Sequence, residues 1–315
     1  MVPPATFTSY YGRPVIKAAP WESDIPAYMF LGGLAAGSSL LAAGADLANL
    51  PKLCRSARIT ALFGGAAGTA SLIHDLGRPA RFLNMLRAAK PTSPMSMGTW
   101  VLFVYGPAAS LAGAAEIAAL LRVRLPIVSR LLETGARPAG LLAALLAPAL
   151  ASYTGVLLAD TATPAWHDAR RELPFVFAAS AAASAGGAAM ATTRVSEAAP
   201  ARRLAAGGGF AALLMEVRME QSMGLSAEAL RSGRAKTLMN ASRALTFGGA
   251  LGAAVIGRRS RVGAALAGTA LLAGSVCTRF AIFEAGQESA RDPRYTVIPQ
   301  RERLERGVGH GARPG

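Results

Sequence analysis

Apolar stretches of roughly 18–24 residues recur along this chain, and each is long enough to cross about 30 Å of hydrocarbon as a helix. Nothing else in the sequence limits the fold so severely. A lipid-exposed backbone must satisfy its own hydrogen bonds, which leaves helices or a closed barrel, and the runs show no strand-like alternation. About eight spans are expected, near 25–47, 57–74, 98–121, 138–159, 173–193, 201–218, 240–257 and 262–284. The fold class is therefore an all-α integral membrane protein. Residues 1–24 form an N-terminal segment on the outer face, 25–159 hold the first four spans, 160–284 hold the next four, and 285–315 form a charged tail outside the bilayer, partly disordered.

Composition agrees. Hydrophobic residues make up 52% and charged residues 16%, and mean hydropathy is +0.34. The spans are rich in Ala and Gly, with small-xxx-small pairs at Gly33/Gly37, Gly64/Gly68 and Gly248/Gly252, which let helix backbones approach closely in lipid. The run Gly207–Gly209 is also a packing feature, because no strand precedes it and no Lys-Ser/Thr follows it.

The net charge of +15 does not indicate nucleic acid, since the basic residues are scattered between apolar runs with no aromatic-interleaved face. Their roles are orientation and contact with anionic membrane lipid. Cys54 and Cys277 make no CxxC, so the chain itself holds neither an iron–sulfur cluster nor a thiolate zinc site. Only His74 and His167 of the three histidines lie near spans, too few for the axial ligands of a di-haem anchor. The first 20 residues lack the basic-then-apolar pattern of a signal peptide.

An even number of spans puts both termini on one side. The short connections at 48–56, 122–137, 194–203 and 258–261 are densely basic, with Arg122, Arg124, Arg130 and Arg194 among others against only Glu133 and Glu197. That pattern places them in the cytoplasm and both termini outside. Trp21, Trp100, Trp166, His74, His167 and His310 then all fall on the outer side.

The outer connection His74–Trp100, HDLGRPARFLNMLRAAKPTSPMSMGTW, is dense in residues that chemistry uses, and Pro79, Pro91 and Pro94 fix its path. His74 beside Asp75 is suited to relaying protons near neutral pH. Arg78 and Arg81 lie close to Asp75 for a salt bridge or a ligand contact, whereas Arg87 and Lys90 are headgroup anchors. Ser96, Thr99 and Trp100 open the third span, with Tyr105 further inside. Before the first span, Asp24 is either a helix cap or, with Tyr28, part of a pocket at membrane depth. Of the charges inside spans, Asp46 and Glu284 can snorkel, while Glu116 and Arg279 are candidates for a proton path or a buried ion pair.

The run Ile25–Gly37 with its LGGLAAG core, then DLGRPARFLNM (Asp75–Met85), then PTSPMSMGTW (Pro91–Trp100), resembles the NrfD/polysulfide reductase membrane-subunit family. The resemblance implies two four-helix bundles without haem or another bound redox metal. It implies a bacterial cytoplasmic (inner) membrane subunit that anchors a four-cluster-type iron–sulfur electron-transfer subunit and a molybdopterin catalytic subunit. It also implies a site for menaquinone or ubiquinone at the outer ends of the first three helices, which on this chain points to Asp24, Tyr28, His74, Asp75, Ser96 and Trp100, with Tyr105. Tyr28, His74 or Ser96 would donate to quinone carbonyls and His74–Asp75 would carry protons. Two other classes stay open: a proton-conducting or secondary-transport module using Glu116 and Arg279, and a purely structural anchor.

Overall fold

The computed structural model describes residues 14–78, 80–123 and 126–311, and the side chains at 83, 126–129, 131, 133 and 306–311 lie outside the description. Pro79, Arg124 and the segment before residue 14, together with the side chains of Glu133 and His310, therefore fall outside the described residues. Within them the chain is helical, with no strand.

The long helices are α1 (Asp24–Leu47), α2 (Pro51–Asp75), α4 (Pro94–Leu120), α5 (Pro126–Ala159), α7 (Leu173–Thr192), α8 (Ala199–Ser222), α9 (Gly233–Val255) and α10 (Arg261–Arg291). Between and after them come the short α3 (Arg81–Met85) and α6 (Pro164–Asp168), a 3-10 segment Gly224–Arg231, and α11 (Arg294–Gly311). Among the described residues, five stretches are long and apolar enough to cross a membrane: all of α1, α4, α7 and α10, and Thr134–Ala159 of α5. The helices α2, α8 and α9 have spanning length but carry more charge, such as Arg55 and Arg58 on α2 or Arg234 and Arg243 on α9. Helix α10 runs about two turns past residue 284, and α11 follows after a two-residue break.

Helix starts follow local chemistry. Pro51 and Pro94 occupy the first helical position, where the missing N–H costs nothing. Ser260 caps α10 by accepting the Gly263 N–H at 3.1 Å. Arg261 donates to the otherwise unpaired carbonyls of Met190, Ala191 and Thr193 at the end of α7, at 2.7, 2.5 and 2.9 Å, tying α10 to that end.

Helices α1, α2, α4 and α5 pack on one another, and α7, α8, α9 and α10 do the same; α1 and α5 meet α7 between the two groups. Small residues allow this. A Cβ at Gly37 would lie 2.6 Å from the Ala181 carbonyl oxygen, and one at Gly187 would lie 2.6 Å from that of Gly268. In α9 the close-packing glycine is Gly249, whose Cβ would meet Leu271 at 2.8 Å, while Gly248 faces open space. The pair expected at Gly248/Gly252 thus contributes through Gly252 alone, whose Cβ would lie 3.0 Å from Ala267.

Candidate functional site

The starts of α1 and α4 and the end of α2 share one end of the molecule, and the end of α5 joins them there. Gly77, at φ +67°, turns the chain out of α2 towards α3. A cavity of about 220 Å³ opens among these ends. Most of its wall is apolar: Ile25 and Met29 from α1, Leu72 from α2, Leu102 from α4, and Leu157 and Leu158 from α5. Its polar lining comprises Tyr28, Asp75, Arg81, Thr99, Tyr153 and Thr154, with Trp21 at one side.

Each polar group has a defined environment. The hydroxyls of Tyr28 and Tyr153 are hydrogen-bonded to each other, with their rings edge to face at 6.5 Å. Thr99 donates to the Met95 carbonyl at 2.9 Å, so its hydroxyl is already committed. Asp75 accepts the backbone N–H of Glu22, and partial burial pushes its carboxyl above the usual carboxylate range despite that bond. Arg81 Nη1 reaches the Leu76 carbonyl at 3.5 Å, a long contact that leaves the guanidinium available. Trp21 stacks on the buried Trp166 at 5.8 Å, and Trp166 donates to the Ile282 carbonyl at 2.8 Å, which ties this rim to α10.

Of the residues that the sequence singles out, Tyr28 and Asp75 line the cavity, as do Trp21, Arg81 and Thr99. Asp24 and His74 meet at its rim, with Nδ1 of the exposed His74 2.8 Å from the Asp24 carboxylate. That hydrogen bond, with the charge behind it, holds the His74 pKa above its ordinary value. The bonded partner of His74 is thus Asp24, and its neighbour Asp75 faces the cavity instead. Ser96 and Trp100 act on the loop between α3 and α4. Ser96 Oγ donates to the Ala88 carbonyl at 2.8 Å and accepts the Lys90 N–H at 3.0 Å, and Trp100 Nε1 donates to the same Ala88 carbonyl at 3.1 Å. Tyr105 lies deeper, buried and bonded to Ser39 at 2.8 Å.

Glu116 and Arg279 are not brought together. Glu116, at the opposite end of the molecule, is bound by Arg58 at 2.9 Å and Arg55 at 3.2 Å. Arg279 is buried beside α7, donating to the Phe177 carbonyl at 2.9 Å with its guanidinium over the Phe177 ring.

Sequence reasoning passed over Tyr153 and Thr154. The only signal was a polar aromatic near the outer end of an otherwise apolar span, and no local motif connects it with Tyr28, 125 residues away. A second, larger groove of about 430 Å³ runs between the two helix groups, past Gly37, Leu40, Pro148 and Phe175. Its hydroxyl, Ser152, already donates to the Pro148 carbonyl at 2.8 Å, so it offers no free donor to a carbonyl in this otherwise apolar groove.

Several helices long and apolar enough to cross lipid, with a largely apolar cavity at one end of them, define a multi-pass membrane protein. The family model described as polysulphide reductase, NrfD, matches residues 15–289, and the chain belongs to that family. It is accordingly a membrane subunit of an oxidoreductase complex. No curated protein matches the chain significantly.

Proposed function

We propose that the chain is the quinone- or quinol-reactive anchor of its complex, exchanging electrons between a partner iron–sulfur subunit of the four-cluster type and a menaquinone or ubiquinone pool, with a molybdopterin subunit as catalytic partner. In this reading all eight long helices cross a bacterial cytoplasmic membrane as two four-helix bundles, α1, α2, α4, α5 and α7 to α10, and both termini lie on the outer face.

The observation that carries the proposal is the Tyr28–Tyr153 hydroxyl pair, set with Asp75 and Arg81 in a cavity otherwise walled by hydrocarbon. A quinone has a flat polar head, two carbonyl acceptors and an apolar tail, and the cavity has donors at one place and aliphatic walls elsewhere. The quinone supplies two-electron, two-proton redox chemistry when bound. One tyrosine hydroxyl donates to the other, which leaves the second free to donate to a carbonyl; Asp75 accepts or returns a proton at its carboxylate, and Arg81 fixes the charge of Asp75 or of the head. Burial keeps Asp75 protonated to higher pH than an exposed carboxyl, which suits a group that must both give and take a proton. The Asp24–His74 pair at the rim provides the next exchange point towards water. In the purified complex, Asp75→Asn should lower quinone-coupled turnover by about 100-fold, the low end of what one acid–base group contributes. Unchanged turnover would remove Asp75 from the site.

A second reading rests on a different observation. Within the second helix group, Thr278 donates to the buried Glu216 at 3.1 Å and bonds Ser242 at 2.6 Å, while Ser275 bonds Ser180 at 2.6 Å. This polar line amid apolar helices is the kind of path a proton-conducting module needs. Proteoliposomes carrying Glu216→Gln test it: loss of turnover-linked proton movement with quinone turnover retained supports conduction, and unaltered movement removes it.

A further inference from the structure

At the end of the molecule away from the quinone cavity, a groove of about 370 Å³ lies between the start of α2 and the end of α7. Its lining includes Lys52, Arg55, Ser56, Ile59, Thr193 and Arg194. Arg194 is exposed and has no ion pair among the described residues. Lys52 is shared with Glu197 at 3.3 Å, and Arg55 gives Nε to Glu116 while remaining 42% exposed. Glu116 is also held by Arg58, so positive charge exceeds negative at this mouth. Thr193 is also among the lining residues, and its buried hydroxyl has no hydrogen-bond partner among the described residues.

The chemistry changes along α2. Lys52, Arg55 and Ser56 stand at the mouth, Ile59 follows a turn later, and Phe63, 62% exposed, lies one turn further on the same stripe. A polar, cationic head followed by an exposed apolar track is the negative image of a phospholipid with an anionic head. We propose that this groove is a specific site for an anionic phospholipid. Arg194, Arg55 and Lys52 take the phosphate, and an acyl chain lies along Ile59 and Phe63. A free phosphate would satisfy the cations but leave the apolar track without a role. The site is separate from the quinone cavity and does not depend on the function assigned to that cavity.

The full chain, purified in mild detergent and offered phosphatidylglycerol or phosphatidylcholine with identical acyl chains, tests this by native mass spectrometry. Wild type should retain phosphatidylglycerol preferentially, and Arg194→Gln should reduce that preference about fivefold to tenfold, as expected when one interfacial cation is lost. Arg258→Gln, which removes an exposed charge from another connection at the same end, should leave it unchanged. Equal retention of both lipids by wild type, an equal loss in the two variants, or full displacement of the lipid by excess inorganic phosphate would overturn the proposal.

Discussion

Tyr153 shows how much a single hydroxyl decides here. It is the partner of Tyr28 across the cavity, and Tyr153→Phe leaves the ring in place while removing that bond. If the cavity binds quinone as proposed, losing this hydroxyl should lower kcat/KM for quinone by about 10-fold, or ~1.4 kcal/mol, which steady-state assays of the complex can read. Asp75 makes a different prediction. Its folded-state pKa is raised, so ionised Asp75 weakens the fold: its favourable contribution is complete below the unfolded carboxylate pKa and is lost as pH rises through the folded value. Asp75→Asn should therefore equal or exceed wild type in thermal stability at neutral pH even as turnover falls, and a large loss of stability would contradict this. His74 is raised as well, so the Asp24–His74 attraction is complete below the unfolded histidine pKa and is lost as pH rises through the folded value. An NMR titration should show the His74 pKa falling towards its ordinary value in Asp24→Asn; no change would dissociate the pair. At this scale the sequence pointed to the neighbourhood of the site but not to its partners. The proximity of Tyr28 and Asp75 was readable because motif residues flank them. The contact of Tyr28 with Tyr153 was not, because it depends on how α5 packs against α1 and α4.

For the helices, apolar length was the most readable property. The ends of α1, α4 and α7 fall within a few residues of where hydropathy places them, because each is bounded by a proline, a charge or a turn residue. The starts of α2 and α5 were set too late, since charged turns such as Pro51–Ser56 are still helical although too polar for a hydropathy window. Packing partners were less visible. The glycine spacing shows which helices can approach closely, and only the structure shows that Gly37 faces α7 and Gly187 faces α10. Gly187→Leu should therefore separate α7 from α10 and destabilise the protein by about 1–3 kcal/mol or more, lowering its thermal midpoint in detergent. Gly248→Ala, facing open space, serves as the neutral comparison.

At the level of the whole molecule, the two helix groups divide the labour. The cavity belongs to the first, with its rim braced against the second through Trp21, Trp166 and α10. The second carries the buried Glu216 line and the buried Arg279. Five helices satisfy a strict apolar criterion, whereas the proposed topology uses eight, and the two counts differ in parity. An odd number puts the termini on opposite sides of the membrane and an even number on the same side. Single cysteines at Lys17 and Arg303, in a background without Cys54 and Cys277, should therefore react with an impermeant maleimide from the same face of sealed vesicles. Labelling from opposite faces would refute eight crossings.

The central claim is that the cavity between Tyr28, Asp75 and Tyr153 is where quinone binds. Photo-crosslinking of the assembled complex in native membranes with an azido-quinone, followed by peptide mapping, tests it most directly. Adducts are expected on the cavity-facing segments around residues 25–29, 81–102 and 153–158, and should be lost when Thr154→Trp fills the cavity. Adducts confined to the groove at Gly37, Pro148 and Phe175, or labelling unaffected by Thr154→Trp, would contradict it.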